Sequence, residues 1–147
     1  MRIYNHPIFI VIFTIILLTF SSAGITANSQ KKDPIDKWVE EQIGKDPSTA
    51  GEIHAYDKGS EMWDKELNRI YNELMKRLDK HQQTALKEAQ RNWIKYRDAE
   101  YQAICQIIQK LEGTMWLPVP SARLYKINRQ RAMELKGYLD WIYQDSP

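Results

Sequence analysis

Two apolar stripes at helical spacing, separated by three polar residues, constrain this chain more than any other feature. Trp63, Leu67, Ile70, Leu74 and Leu78 recur at intervals of three and four. Leu86, Ala89, Trp93, Ile104, Ile107 and Leu111 follow the same spacing after the break Asp79-Lys80-His81. Each stripe covers about one face of a 3.6-residue helix, and nothing alternates at the strand period for long. A link this short folds the two helices back on each other. Residues 63–111 therefore predict an antiparallel helical hairpin on which the rest of the chain packs.

Capping signals extend the reading outward. Asp33-Pro34 opens a short helix: Asp33 accepts from free N–H groups, and Pro34 at the first helical position gives up no hydrogen bond. Ile35, Trp38, Val39 and Ile43 form its apolar stripe, and Gly44 suits its stop. Thr49 and Glu52 fit a capping box for the first long helix, with a weak point at Gly59 where a kink or break is possible. Asp79 and Gln82 make a similar pair for the second. Gly113 ends the second helix, and Pro118 and Pro120 prevent its continuation. Ser121 caps a last helix with the stripe Leu124, Ile127, Leu135, Tyr138, Leu139 and Ile142. The expected fold is all-α: an antiparallel helical hairpin, a third long helix packed against it, and a short N-terminal helix.

The first 27 residues stand apart. Arg2 gives a basic start, residues 8–20 form an uncharged apolar run, and small residues follow with a cleavage pattern ending at Ala23 or Ala27. This is the layout of a secretory signal peptide. The alternative is an uncleaved anchor, but 13 residues fall short of the ~20 that a spanning helix needs. The organisation read from the sequence is a signal peptide over 1–27, a lead-in and short helix over 28–48, and a helical domain over 49–147. With cleavage, no stable membrane span remains, and a periplasmic or secreted location is expected. Cys105 is the single cysteine, so no internal disulfide is possible and helix packing must supply the stability.

Charge is unevenly spread. Residues 31–66 hold 6 Lys against 10 Asp and Glu, a net of −4, whereas residues 67–147 carry a net of +5. Such asymmetry permits a basic partner at one end and an anionic one at the other. Polar groups also fall where a core should be. Gln90 and Arg97 lie inside the stripe of the second long helix, and Asn128 and Arg131 lie inside that of the last. A buried guanidinium must find acceptors. Asp64, Asn68, Tyr71 and Met75 make a second row beside the first stripe that faces such groups, with Glu66 and Glu100 as further acceptors. Asn68, Tyr71, Gln90, Arg97, Asp98 and Arg131 are accordingly the candidate polar set. It is either a network that fixes helix register or a polar pocket at the hairpin surface.

The same residues carry a family resemblance. Leu67-Asn68-x-x-Tyr71, Ala89-Gln90-Arg91-x-Trp93, Tyr96-Arg97-Asp98-Ala99, Gly113-Thr114 and Arg131-Ala132-x-Glu134-Leu135 occur in that order. The stretch from about Thr49 to Leu139 resembles the LprI-type lysozyme-inhibitor N-terminal domain family of small exported bacterial proteins. The resemblance implies a helical protein of the periplasm or cell envelope, with a lysozyme or another envelope protein as partner. The chain departs from the family pattern at its cysteines. Tyr56 and Tyr101 stand where the family has Cys, and a third family Cys, near Arg123, is absent, so the family's disulfides are missing.

No enzyme signal accompanies this. His54 and His81 lack the neighbours of a metal set, Cys105 has no His nearby, and Asp98 and Glu100 point to different helix faces. No cofactor and no metal are expected. Nucleic acid is not an expected partner, because acids interrupt the basic half and export removes the ligand. Two function classes remain: an inhibitor of lysozyme-type hydrolases, and an envelope interaction module with a structural or stress-related role. An inhibitor needs a projecting element to fill a cleft. Trp116 and Leu117, between turn-forming residues at 113–120, are the candidate partner-binding pair. The other reading of that loop is that it folds over the hairpin end.

Overall fold

The computed structural model describes residues 32–144, and the expected signal peptide lies outside them. Four α-helices follow in order: α1 (Pro34–Lys45), α2 (Thr49–Arg77), α3 (Lys80–Ile108) and α4 (Val119–Gln144), with a 3₁₀ turn at Thr114–Trp116 before the last. No strand occurs among the described residues. The fold is all-α, with α2 and α3 as the hairpin, α4 as the third long helix and α1 as the short first one.

Local chemistry accounts for the helix boundaries. The Asp33 carboxylate accepts from the Ile35 N–H at 2.8 Å, and Pro34 occupies the first turn. The Asp79 side chain accepts from the Gln82 N–H while the Gln82 side chain accepts from the Asp79 N–H, a full capping box. Four expected boundaries shift. α1 runs through Gly44 to Lys45. Ser48 rather than Thr49 caps α2, its Oγ accepting from the Gly51 N–H at 3.1 Å. α3 stops at Ile108, five residues before Gly113. α4 begins at Val119, so Ser121 lies inside the helix and is buried. Pro120 is tolerated in the first turn, where its missing N–H would have had no partner, and the Pro118 carbonyl accepts from Ala122 at 2.9 Å.

Gly59 does not break α2. A Cβ there would lie 2.4 Å from Val39 Cγ2 and 3.0 Å from Tyr125 Cδ2. The missing side chain lets α1 and α4 approach α2 closely, a packing reason that outweighs the weak helix propensity of glycine.

Side-chain partners define the arrangement. Asp36 and Val39 meet Trp63 and Gly59, so α1 runs antiparallel to α2. Ser60 meets Asn128 and Arg77 meets Tyr143, so α4 runs parallel to α2. α2 and α4 make the most extensive helix pairing. The core lies mainly between them: Trp63, Leu67, Ile70 and Leu74 from α2 are almost fully buried, as are Ala132 and Leu135 from α4. Val39, Ala55, Tyr125 and Leu139 complete it. Burial of each large apolar side chain contributes about 2 kcal/mol before entropy is counted. α3 is antiparallel to α4, with Gln90 opposite Arg131 and Glu100 opposite Arg123. Leu86 and Trp93 of α3 reach the core edge half-buried.

Candidate functional site

The most buried charged group among the described residues is one that the sequence alone does not single out. Asp36 of α1 is 6% exposed and accepts from three residues on two other helices. Trp63 Nε1 donates to Oδ1 at 3.2 Å, the Tyr125 hydroxyl donates to the same oxygen, and Arg129 Nε lies 2.8 Å from Oδ2. The Arg129 guanidinium also lies 5.7 Å from the Trp63 ring. Burial first, and then the bond to Asp36, pushes the Tyr125 hydroxyl far above the ordinary tyrosine range. A carboxylate with this many donors is held as a structural tie and has little capacity left for a ligand. The available signal was the pair Tyr125 and Arg129, one turn apart on α4.

Tyr56, at a position where the resemblance implies a cysteine, packs on this tie with its ring 5.7 Å from that of Tyr125. Beside Tyr101, the second such position, Glu100 accepts from Arg123 Nη2 at 2.7 Å and joins α3 to α4.

Five of the six residues of the expected polar set divide between two places, and Tyr71 joins neither. Gln90 Oε1 accepts from Arg131 Nε at 3.1 Å, and Arg131 Nη1 pairs with Glu134 at 3.2 Å. Arg131 is buried and its Nη2 has no hydrogen-bond partner. Some distance along α3, Arg97 lies 2.8 Å from Asp98 and 3.6 Å from Asp64, with its guanidinium 5.3 Å from the Trp93 ring. Asn68 is exposed and donates back to the Asp64 carbonyl and carboxylate on its own helix. Tyr71 is half-buried against the core. No hydrogen bond links the Arg131 group to the Arg97 group, so they are two sites and not one network. Glu66, a candidate acceptor, is used on its own helix. The hydrogen bond from Arg69, at 2.7 Å, holds its carboxyl below the usual range.

The Arg97 group opens on a cleft between α2, α3 and α4 with a volume of about 640 Å³. Asp57, Glu61, Asp64, Lys65, Arg97 and Asp98 line its walls, and Ser60 and Asn128 lie deeper. Among the described residues, no group of three or more His, Cys, Asp or Glu side chains is placed to hold a metal ion. No helix there is long and apolar enough to cross a membrane.

The second candidate is the connection after α3. Gly113 has φ +94°, a conformation that favours glycine, and it starts the 3₁₀ turn. The Leu117 N–H closes that turn on the Thr114 carbonyl at 3.1 Å, and Pro118 is buried behind it. The backbone is thus fixed while the side chains face solvent: Met115 is 71%, Trp116 37% and Leu117 52% exposed. Ile107 and Leu111 are exposed in the same segment.

Comparison with known proteins gives the family of this all-helical module. A family model described as lysozyme inhibitor LprI matches residues 40–135, from the middle of α1 to Leu135 of α4. The chain belongs to the lysozyme inhibitor LprI family. Among solved structures, it is similar to the crystal structure of an uncharacterised protein from Burkholderia thailandensis, with 27% identity and a TM-score of 0.71. The match covers 77% of this chain and 57% of that one, so the chain spans little more than half the length of its structural relative. No curated protein matches significantly.

Proposed function

We propose that this is an exported, non-enzymatic binding protein that inhibits lysozyme-type cell-wall hydrolases through the 113–118 turn. Its leader over residues 1–27 is removed, and it acts in the periplasm or outside the cell. The exposed Met115-Trp116-Leu117 turn carries the reading. An aromatic and two aliphatic side chains on a backbone held by Gly113 and Pro118 are ordered before binding, so little entropy is lost when they fill a partner's cleft. Family membership supports the partner class. Lysozymes are commonly basic, and the −4 balance of residues 31–66 favours approach of a basic partner.

The test is a titration of the purified protein into lysozymes of several types while lysis of cell walls is followed. Inhibition is expected, and Trp116→Ala should weaken it at least tenfold, about 1.4 kcal/mol or more. Inhibition unchanged by Trp116→Ala moves the contact surface away from the turn. No inhibition at concentrations where a ~1 μM complex would form supports the second reading, an envelope interaction module of the same fold.

A further inference from the structure

Large apolar side chains that face solvent gather in one short segment: Ile107, Leu111, Met115, Trp116 and Leu117. Apolar surface collected in this way marks a contact surface. Met115 is the most exposed large apolar side chain among the described residues, at 71%. Its thioether is also the one group of the five that reversible oxidation converts from apolar to polar. The other described methionines are better covered. Met62 and Met75 on α2 are half-buried, and Met133 on the outer face of α4 is 40% exposed.

The fold of the turn does not depend on the Met115 side chain. Gly113 sets the backbone at φ +94°, the Leu117 N–H closes the turn on the Thr114 carbonyl, and Pro118 is buried behind it. A change at the Met115 sulfur therefore alters what a partner touches and leaves the helices in place. The relevant change is attack of that sulfur on the O–O bond of a peroxide. The S–O bond forms as the O–O bond breaks, and the leaving hydroxide takes the proton of the transferred OH to become water. Sulfur loses an electron pair and the peroxide gains it. The sulfoxide oxygen is a strong hydrogen-bond acceptor, and covering it within an apolar contact costs its hydration with no donor to compensate.

We infer that Met115 is a peroxide-sensitive switch on the partner-binding turn. As the thioether it adds apolar contact beside Trp116 and Leu117, and as the sulfoxide it releases the partner. The inference rests on the partner-binding reading above and adds regulation to the same site. Export, as proposed, places the turn outside the reach of the cytosolic thiol pool, where oxidants persist.

The test treats the purified protein with graded hydrogen peroxide and follows two readouts. Peptide mass spectrometry gives the oxidised fraction at each methionine, and titration into lysozyme gives the inhibition. Met115 is expected to be oxidised first, with inhibition weakening about tenfold in step with it. Methionine sulfoxide reductase with dithiothreitol should restore inhibition. Dithiothreitol alone, which reverses early oxidation of Cys105, should not. Met115→Leu keeps an apolar side chain that forms no sulfoxide, so it should inhibit equally before and after treatment. Met133→Leu should stay as sensitive as the parent. Circular dichroism should be the same for both variants and for the oxidised protein. Another methionine oxidised ahead of Met115, helicity lost on oxidation, or sensitivity that survives Met115→Leu overturns the inference. Absence of inhibition by the untreated protein removes the inhibitor reading and the switch together. Inhibition that persists with Met115 fully oxidised removes the switch alone.

Discussion

α2 and α3 have the same length, 29 residues each, and both have side-chain N-caps and one apolar stripe. α2 buries seven of its residues and α3 only Ile108. The difference comes from what each helix faces. α2 is enclosed by α1 on one side and α4 on another, and Gly59 and Ala55 let both approach. α3 meets α4 mainly through long polar pairs, Arg131 with Gln90 and Arg123 with Glu100. Toward the start of α3, Leu74, Leu86, Ala89, Tyr138 and Trp141 border an open apolar groove of about 440 Å³. A stripe therefore establishes that a helix has an inner face, but not how deeply that face is covered. α2 and α4 carry the stability, while α3 walls the cleft and leads to the turn that partner binding is proposed to use.

The contrast can be tested by paired truncations. Leu67→Ala on α2 removes a side chain that is 1% exposed and should cost about 3 kcal/mol. Leu86→Ala on α3, half-buried, should cost about 1 kcal/mol, since its site is already open to water. Urea unfolding measures both, and equal costs would erase the distinction. Between these two in size is Asp36→Asn, expected to cost about 2 kcal/mol. The amide retains one acceptor for three donors, and the exposed side of Arg129 recovers water.

An alkaline limb follows from Tyr125. Its folded pKa lies above the unfolded value of about 10, so its contribution is complete below that pH. As pH rises further, the unfolded chain releases the proton first, and stability falls by up to about 1.4 kcal/mol per unit. Tyr125→Phe should flatten this limb in urea midpoints taken from neutral to strongly alkaline pH. The smallest effect is expected at Arg97→Ala, under about 1 kcal/mol, because Asp98 and Asp64 are well exposed. A loss several times larger would mean that α3 is bound as firmly as α2.

Much of this architecture was legible because its signals are local. Asp33-Pro34, Asp79 with Gln82, and the two stripes each act within one or two turns of chain, so the helices and their order could be read directly. Two of the four boundaries that moved are those where two signals compete. Ser48 stands beside Thr49, and Pro120 is compatible with a first turn that Ser121 also suggested. The closer pairing of α2 with α4 than with its hairpin neighbour was not legible, because periodicity names a face and not its partner. The Asp36 tie was hidden for the same reason, since a lone acidic residue on a short helix reads as solvated surface. Of the candidate site residues, Gln90 and Arg131 were recognisable as a charge problem inside stripes. Asn128 was noticed for its position, but its unpaired oxygen depends on where Ser60 comes to lie.

The tie also bears on the order of folding. Asp36 finds its α4 partners 89 and 93 residues further along the chain. A chain made from its N-terminus cannot complete this contact, or bury Trp63, until the last helix has been synthesised. Contacts this far apart along the chain form slowly, and until they do Asp36 has only Trp63, 27 residues away, among its three partners. The first three helices would therefore remain loosely assembled until α4 arrives, and folding would finish in one late, cooperative step.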